Sequence, residues 1–105
     1  MVGVDFSGNP SKGDFAEFTG VMAEARRLGL RITAHVAELP DHIDTAATIA
    51  FRPERYGHAV QMTPALLESM AETGSTIEIC PTSNLKTLGL GKRYFIVFVA
   101  LAWSL

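Results

Sequence analysis

Apolar positions along the chain fall into short runs and into longer stretches with helical spacing. Between residues 14 and 29 they recur at three- and four-residue steps, which predicts a helix with one apolar face. Asp14 suits the start of that helix and Gly29 suits its end. Two further helices are predicted at 41–52 and 63–74 from their N-terminal cap residues. The apolar face of the first helix comprises Phe15, Phe18, Val21, Met22, Ala25 and Leu28.

Four short runs between these helices predict β-strands. Their residues are "VGVDF" at 2–6, "LRITAHV" at 30–36, "RYGHAV" at 55–60 and "STIEICP" at 75–81. Strands that alternate with helices favour a parallel sheet with right-handed crossovers. Successive strands begin roughly 25 residues apart, which is close to one strand–helix unit of a barrel. The pattern therefore predicts an α/β fold.

Composition narrows the classes of protein. The chain has 105 residues, of which 48% are hydrophobic and 19% charged, so a folded core is expected. The net charge of -2 provides no basic surface for nucleic acid. One cysteine excludes an intramolecular disulfide and suits a reducing, cytoplasmic setting. No signal peptide is recognised, and the run from Tyr94 to Trp103 is shorter than the ~20 residues of a membrane span.

Polar and ionisable residues follow the ends of the predicted strands. Chemistry in parallel α/β folds collects at the C-terminal ends of the strands. Two histidines, a carboxylate and a polar cluster are therefore expected along one rim, which predicts a functional site there. The residues at these positions are Asp5, Ser7, Gly8, His35, Glu38, Gly57, His58 and residues 80–84.

Each candidate also has a purely structural interpretation. His35 is either a buried structural histidine or a metal ligand. Glu38 is either a solvated loop residue or a proton donor in a partly closed pocket. His42 is interpreted as a surface residue. Cys80 is interpreted as a small core side chain, and a nucleophilic pair of Cys80 with His58 is a weaker alternative.

Four stretches together carry a family resemblance. "VGVDFSGNP", "TAHVAELP", "RYGHAV" and "IEICPTSN" resemble, in order and spacing, the adenosine deaminase family, and most of all its adenosine-deaminase-like branch. That branch acts on AMP methylated on its exocyclic amine. The resemblance implies a (β/α)8 barrel, one zinc ion and hydrolytic deamination of a purine nucleoside or nucleotide.

The resemblance also implies roles for individual residues. His35 matches a zinc ligand, and Glu38 matches the glutamate that protonates the purine ring. His58 matches the histidine that orients and deprotonates the attacking water. Gly8 matches a glycine whose backbone contacts the purine. Asp5, at the end of the same strand as Gly8, is a second candidate substrate contact.

The sequence also departs from the family pattern. It contains neither the His-x-His pair nor the Asp-Asp pair that supply the family's other metal ligands. A complete barrel needs ~250 residues. We therefore expect a partial (β/α)8 barrel of about four parallel strands over 1–90 and an aberrant apolar tail over 91–105.

Three functional hypotheses remain open at this point. The first is a fragment of a zinc-dependent purine deaminase. The second is a catalytically inactive truncated product or interaction fragment, which the open edges of a partial sheet could let self-associate. The third is another metal-dependent hydrolase with the same barrel.

Overall fold

The computed structural model describes residues 2–86 of the chain. The tail expected at 91–105 lies outside the described residues. Eight elements alternate along the chain as the sequence predicts, with a short additional helix at the end. They are β1 (Gly3–Phe6), α1 (Phe15–Arg27), β2 (Arg31–Val36), α2 (His42–Phe51), β3 (Arg55–His58), α3 (Pro64–Glu72), β4 (Thr76–Glu78) and α4 (Pro81–Lys86).

The four strands form one parallel sheet in sequence order, β1-β2-β3-β4. This confirms the predicted α/β fold, and each pair of neighbouring strands is joined by a helix that crosses over the sheet. Strands β3 and β4 are shorter than the runs predicted at 55–60 and 75–81. None of the helices within residues 2–86 has both the length and the apolar character that crossing a membrane requires.

The helices begin where the sequence predicts. The Glu17 carboxylate accepts a hydrogen bond from the Asp14 N–H at 3.3 Å, which is one half of a capping box at the start of α1. Asp41 caps α2 by accepting from the N–H of Asp44 at 3.0 Å. Thr63 caps α3 through its hydroxyl oxygen. Each cap satisfies an N–H group that the first helical turn leaves without a partner.

One face of the sheet packs against α1, α2 and α3 to form the core. Burial alternates along β2, so every second side chain faces the helices. Two apolar clusters fill the space between sheet and helices, the first around Tyr56 and the second around Phe15. Their buried members are Val36, Ala37, Ile49, Tyr56, Ala59, Val60 and Met70 in the first, and Phe15, Met22, Ile32 and Ala34 in the second.

The apolar face predicted for α1 is only partly buried. Phe15 and Met22 are buried, whereas Phe18, Val21 and Leu28 are 40%, 66% and 65% exposed. Helix α1 packs on β2 and on α2. Within residues 2–86 no further helix precedes α1 to cover its other flank. The apolar face of α1 therefore contributes Phe15 and Met22 to the core and leaves these three residues at the surface.

The other face of the sheet is polar. Strand register places Thr33 beside both Asp5 and Arg55, and His35 beside Gly57. These residues alternate with the buried positions of their strands, so they share the face turned away from the helices. The C-terminal ends of the strands form the rim of this face, and the candidate site lies at that rim.

Candidate functional site

A sharp turn after β2 brings Glu38 back over the end of its own strand. Ala37 has a φ of 53°, in the left-handed region that non-glycine residues rarely adopt. This conformation costs roughly 1–2 kcal/mol. It directs the Glu38 side chain, which is 11% exposed, toward the two histidines. One carboxylate oxygen lies 3.5 Å from Nε2 of His58, and the other lies 4.0 Å from Nδ1 of His35.

A second local distortion places His58. The residues His58 and Ala59 have φ angles of 63° and 55°, so two consecutive residues adopt the left-handed conformation. This ends β3 at His58, although its apolar pattern continues to residue 60. The His58 ring is consequently turned inward and is 3% exposed. Strained backbone of this kind is concentrated at functional sites.

The two histidines are in direct contact. Nδ1 of His35 lies 3.1 Å from Nε2 of His58, and their rings meet edge to face with centroids 4.9 Å apart. On its other side, His58 contacts Asn84, with 2.8 Å between Nδ1 and Oδ1. Nε2 of His35 lies 3.4 Å from a carboxylate oxygen of Asp5. A continuous row of polar groups therefore crosses the rim from β1 to α4.

The row includes a set of atoms suited to a metal ion. His35, Glu38 and His58 each offer one ligand atom, and these atoms lie within 4.8 Å of one another. Imidazole nitrogen and carboxylate oxygen are both ligands of Zn²⁺. The chemistry of these donors fits a metal such as zinc.

A cavity opens beside these residues. Gly8, His35, Glu38 and His58 all line it, together with Cys80. The predicted gathering of Gly8 and the two histidines on one rim is thereby confirmed. Asp5 lies below the rim, against His35, and its side chain is 58% exposed.

An adjoining cavity of about 160 Å³ shares Gly8, His35 and Glu38 and extends between the loops that follow β1 and β2. Asp44 forms part of its wall and accepts a hydrogen bond from the N–H of Phe15 at 2.6 Å. Burial raises the pKa of the Asp44 carboxyl despite this hydrogen bond. The contact holds the start of α1 against the start of α2, which fixes the shape of the cavity.

Cys80 departs from its predicted place. It is only partly buried and lies at the cavity, so its interpretation as a core side chain is wrong. The reason is that β4 ends at Glu78 and α4 begins at Pro81, which leaves Cys80 in the turn between them. Its thiol contacts the carbonyl oxygen of Glu78 at 3.5 Å rather than His58. His42 is exposed, as predicted.

Sequence reasoning placed Asn84 at the right rim but missed its element and its burial. The polar cluster at residues 80–84 indicated the position, and Asn84 does contact His58 there, but it lies on the short helix α4 and is 1% exposed. A six-residue helix is too short for its periodicity to be recognised. Ala37 was missed altogether, because an alanine carries no sign of a left-handed conformation.

Known proteins resemble this chain in sequence and in fold. The family model described as adenosine deaminase matches residues 1–93. The chain is 36% identical over 87 residues to the adenosine deaminase-like protein of Drosophila melanogaster, with 83% of this chain and 26% of that protein covered. It is 34% identical over 87 residues to the N6-mAMP deaminase of Arabidopsis thaliana, covering 83% of this chain and 24% of that protein.

A crystal structure of the Arabidopsis N6-mAMP deaminase superimposes with a TM-score of 0.81 at 33% identity, covering 86% of this chain and 27% of that one. The four strands and their helices therefore correspond to part of a larger barrel. The chain spans about a quarter of the length of the relatives that it matches. By its sequence and its fold, the chain belongs to the adenosine deaminase family.

Proposed function

We propose that residues 2–86 supply the acid, the base and one metal ligand of a zinc-dependent purine deaminase site. The observation that carries this proposal is the meeting of His35, Glu38 and His58 within 4.8 Å at one rim of the sheet. The family match favours deamination over other reactions of metal-dependent barrel hydrolases. The substrate that we propose is AMP methylated on its exocyclic amine, since several relatives are named N6-methyl-AMP deaminase.

Each residue has a place in the hydrolysis. Water adds to the ring carbon that bears the amine, and the amine leaves, so that a ring carbonyl replaces it. Glu38 donates a proton to the adjacent ring nitrogen, which makes that carbon more electrophilic. His58 removes one proton of the attacking water and passes it to the departing amine, and the second proton of that water, released as the carbonyl forms, restores Glu38 to its acid form. The backbone of Gly8, on the wall of the same cavity, positions the purine ring. Asp5, which lies against Nε2 of His35, is a further candidate contact.

His35 is the residue that we assign to the metal. A bound zinc ion would supply a water that ionises near neutral pH. A catalytic zinc typically has three protein ligands. Glu38 and His58 are needed for proton transfer, so His35 alone of the three remains as a dedicated ligand. We therefore propose that the reaction requires further ligands in addition to residues 2–86.

A chimera tests this proposal. The matching segment of the Arabidopsis N6-mAMP deaminase would be replaced by residues 2–86 of this chain, and conversion of N6-methyl-AMP to IMP and methylamine would be measured. We expect turnover in the chimera and its loss, with loss of bound zinc, in the chimera carrying His35→Ala. His42→Ala is the matched control, because His42 is exposed and should leave both properties unchanged. A folded chimera that binds zinc but forms no IMP would contradict the proposed function.

A further inference from the structure

Asn84 lies behind His58 and is shielded from solvent. Its side chain is 1% exposed, and its Oδ1 is 2.8 Å from Nδ1 of His58. Its Nδ2 has no hydrogen-bond partner among residues 2–86. The amide therefore acts on the site through its carbonyl oxygen, which can accept a hydrogen bond but cannot donate one.

This contact has consequences for both histidines. Because Oδ1 of Asn84 only accepts, Nδ1 of His58 must carry the hydrogen, and Nε2 of the neutral ring then holds a lone pair. That lone pair lies 3.1 Å from Nδ1 of His35. A hydrogen bond at this distance requires Nδ1 of His35 to be the donor, which leaves Nε2 of His35 unprotonated.

We infer that Asn84 is a positioning residue: its buried carbonyl sets the direction of a hydrogen-bond chain through His58 and His35 and holds both rings as Nδ1–H tautomers. This gives Nε2 of His58 the lone pair that the proposed base requires, and in the metal-free chain the Nδ1–H of His35 donates to it. It also leaves Nε2 of His35 with the free lone pair that a metal ligand requires. The inference rests on the proposed function for the meaning of those two atoms.

Two carboxylates favour the opposite direction. Glu38 faces Nε2 of His58 at 3.5 Å, and Asp5 faces Nε2 of His35 at 3.4 Å, and each would prefer a protonated nitrogen. Both distances exceed the usual range of an N–H···O hydrogen bond, whereas the contact of 2.8 Å to Asn84 lies within it. Asp5 is also 58% exposed and can be satisfied by water. The hydrogen bond to the buried amide, rather than the two carboxylates, therefore determines which ring nitrogens carry a hydrogen.

Nitrogen-15 NMR of the imidazole rings tests the inference on the 105-residue chain, with a chelator present and at a pH where free imidazole is neutral. His42 serves as an internal reference for an exposed ring, and His35→Gln and His58→Gln assign the other two rings. We expect a protonated-type shift for Nδ1 and an unprotonated-type shift for Nε2 in both His35 and His58. Opposite tautomers in either ring, or averaged shifts like those of His42, would overturn the inference.

Two variants separate the amide's role from general packing. Asn84→Asp keeps an acceptor and is expected to preserve both tautomers. Asn84→Ala removes it and is expected to move the His58 shifts toward the average. Reversed tautomers in Asn84→Asp, or unchanged shifts in Asn84→Ala, would show that Asn84 does not set the direction. If Asn84→Ala fails to fold, the wild-type and Asn84→Asp spectra decide. Because the measurement reads tautomers rather than turnover, it can fail while the deaminase proposal stands, and the reverse also holds.

Discussion

The imidazole ring of His35 lies directly against the backbone of Gly57 on the neighbouring strand. A β-carbon built on Gly57 would lie 2.8 Å from Cδ2 and 3.1 Å from Nε2 of His35. The two residues are paired in the register of β2 and β3, so the sheet itself enforces this approach. Only glycine at position 57 leaves room for the ring in its present orientation.

We therefore expect Gly57→Ala to displace the His35 ring and to weaken zinc binding in the chimera by roughly 10- to 100-fold, as loss of support for a metal ligand commonly does. Competition with a zinc-binding dye measures this. The matched control is Gly20→Ala in α1, where nothing lies within 4 Å of the added carbon. That change should leave zinc affinity intact and stabilise the fold by ~1 kcal/mol. Equal zinc affinities of the two variants would refute the supporting role of Gly57.

At the opposite end of the sheet, Glu54 joins β2 to α1. Its carboxylate accepts a hydrogen bond from the N–H of Ile32 at 2.6 Å and lies 3.4 Å from Nε of Arg26. Burial alone would raise the pKa of Glu54, but the backbone N–H groups and Arg26 outweigh it and hold this pKa below its ordinary value. The folded state therefore favours the ionised form of Glu54.

We expect Glu54→Gln to lower the free energy of unfolding by about 1 kcal/mol at neutral pH, because a charged acceptor is lost at a partly exposed site. A lowered pKa stabilises the fold above the ordinary glutamate range, and this contribution disappears as the pH falls through the pKa of the folded state. The difference in unfolding free energy between the wild type and the variant should therefore decrease as the pH falls. Urea titrations at several pH values, with Glu68→Gln on the exposed face of α3 as control, measure it. A deficit that grows in acid would be inconsistent with the sign of this shift.

Much of the fold could be predicted because its signals are local. Asp14, Asp41 and Thr63 mark helix starts through hydrogen bonds to their own first turns, so neighbouring residues suffice to recognise them. Strand order followed from the alternation of strands and helices. The exposure of Val21 could not be predicted, because periodicity shows that a helix has an apolar face but not how much of that face is covered.

The candidate site likewise contains some residues that the sequence could identify and others that it could not. His35, Glu38 and His58 could be found because strand ends are where such sites form, and family resemblance supplied their roles. The turn at Ala37 and the burial of Asn84 depend on long-range packing that no short pattern encodes. The interpretation of Cys80 failed for a related reason, since the end of β4 is set by pairing with β3, which stops at Glu78.

The 105-residue chain by itself should bind zinc weakly or not at all and should not convert AMP or N6-methyl-AMP. The physical reason is the ligand count, since His35 is the one dedicated ligand and the sequence contains no His-x-His pair. Metal analysis after dialysis and a chromatographic assay for IMP test the two halves. Stoichiometric zinc binding together with turnover would contradict this prediction. It would show that the metal site obtains its other ligands in another way, for example from a second copy of the chain in an oligomer.

Residues 94–105, outside the part described by the structure, carry a composition that favours aggregation. The segment "FIVFVA" is rich in β-forming residues, uncharged and free of proline. We expect deletion of residues 94–105 to increase the recovery of soluble chain, as measured by size-exclusion chromatography. Unchanged recovery, with the full chain already monodisperse, would count against the tail as the cause.

The most direct measurement concerns Glu38, whose carboxylate we assign to proton donation rather than to the metal. Glu38→Gln would be introduced into the chimera, and the rate of IMP formation would be determined per bound zinc. Loss of a general acid typically costs about 10²- to 10⁴-fold in rate. We expect a fall of that order in turnover with the zinc content unchanged. Turnover equal to that of the parent chimera at equal zinc content would contradict the assignment of Glu38 as the acid of this site.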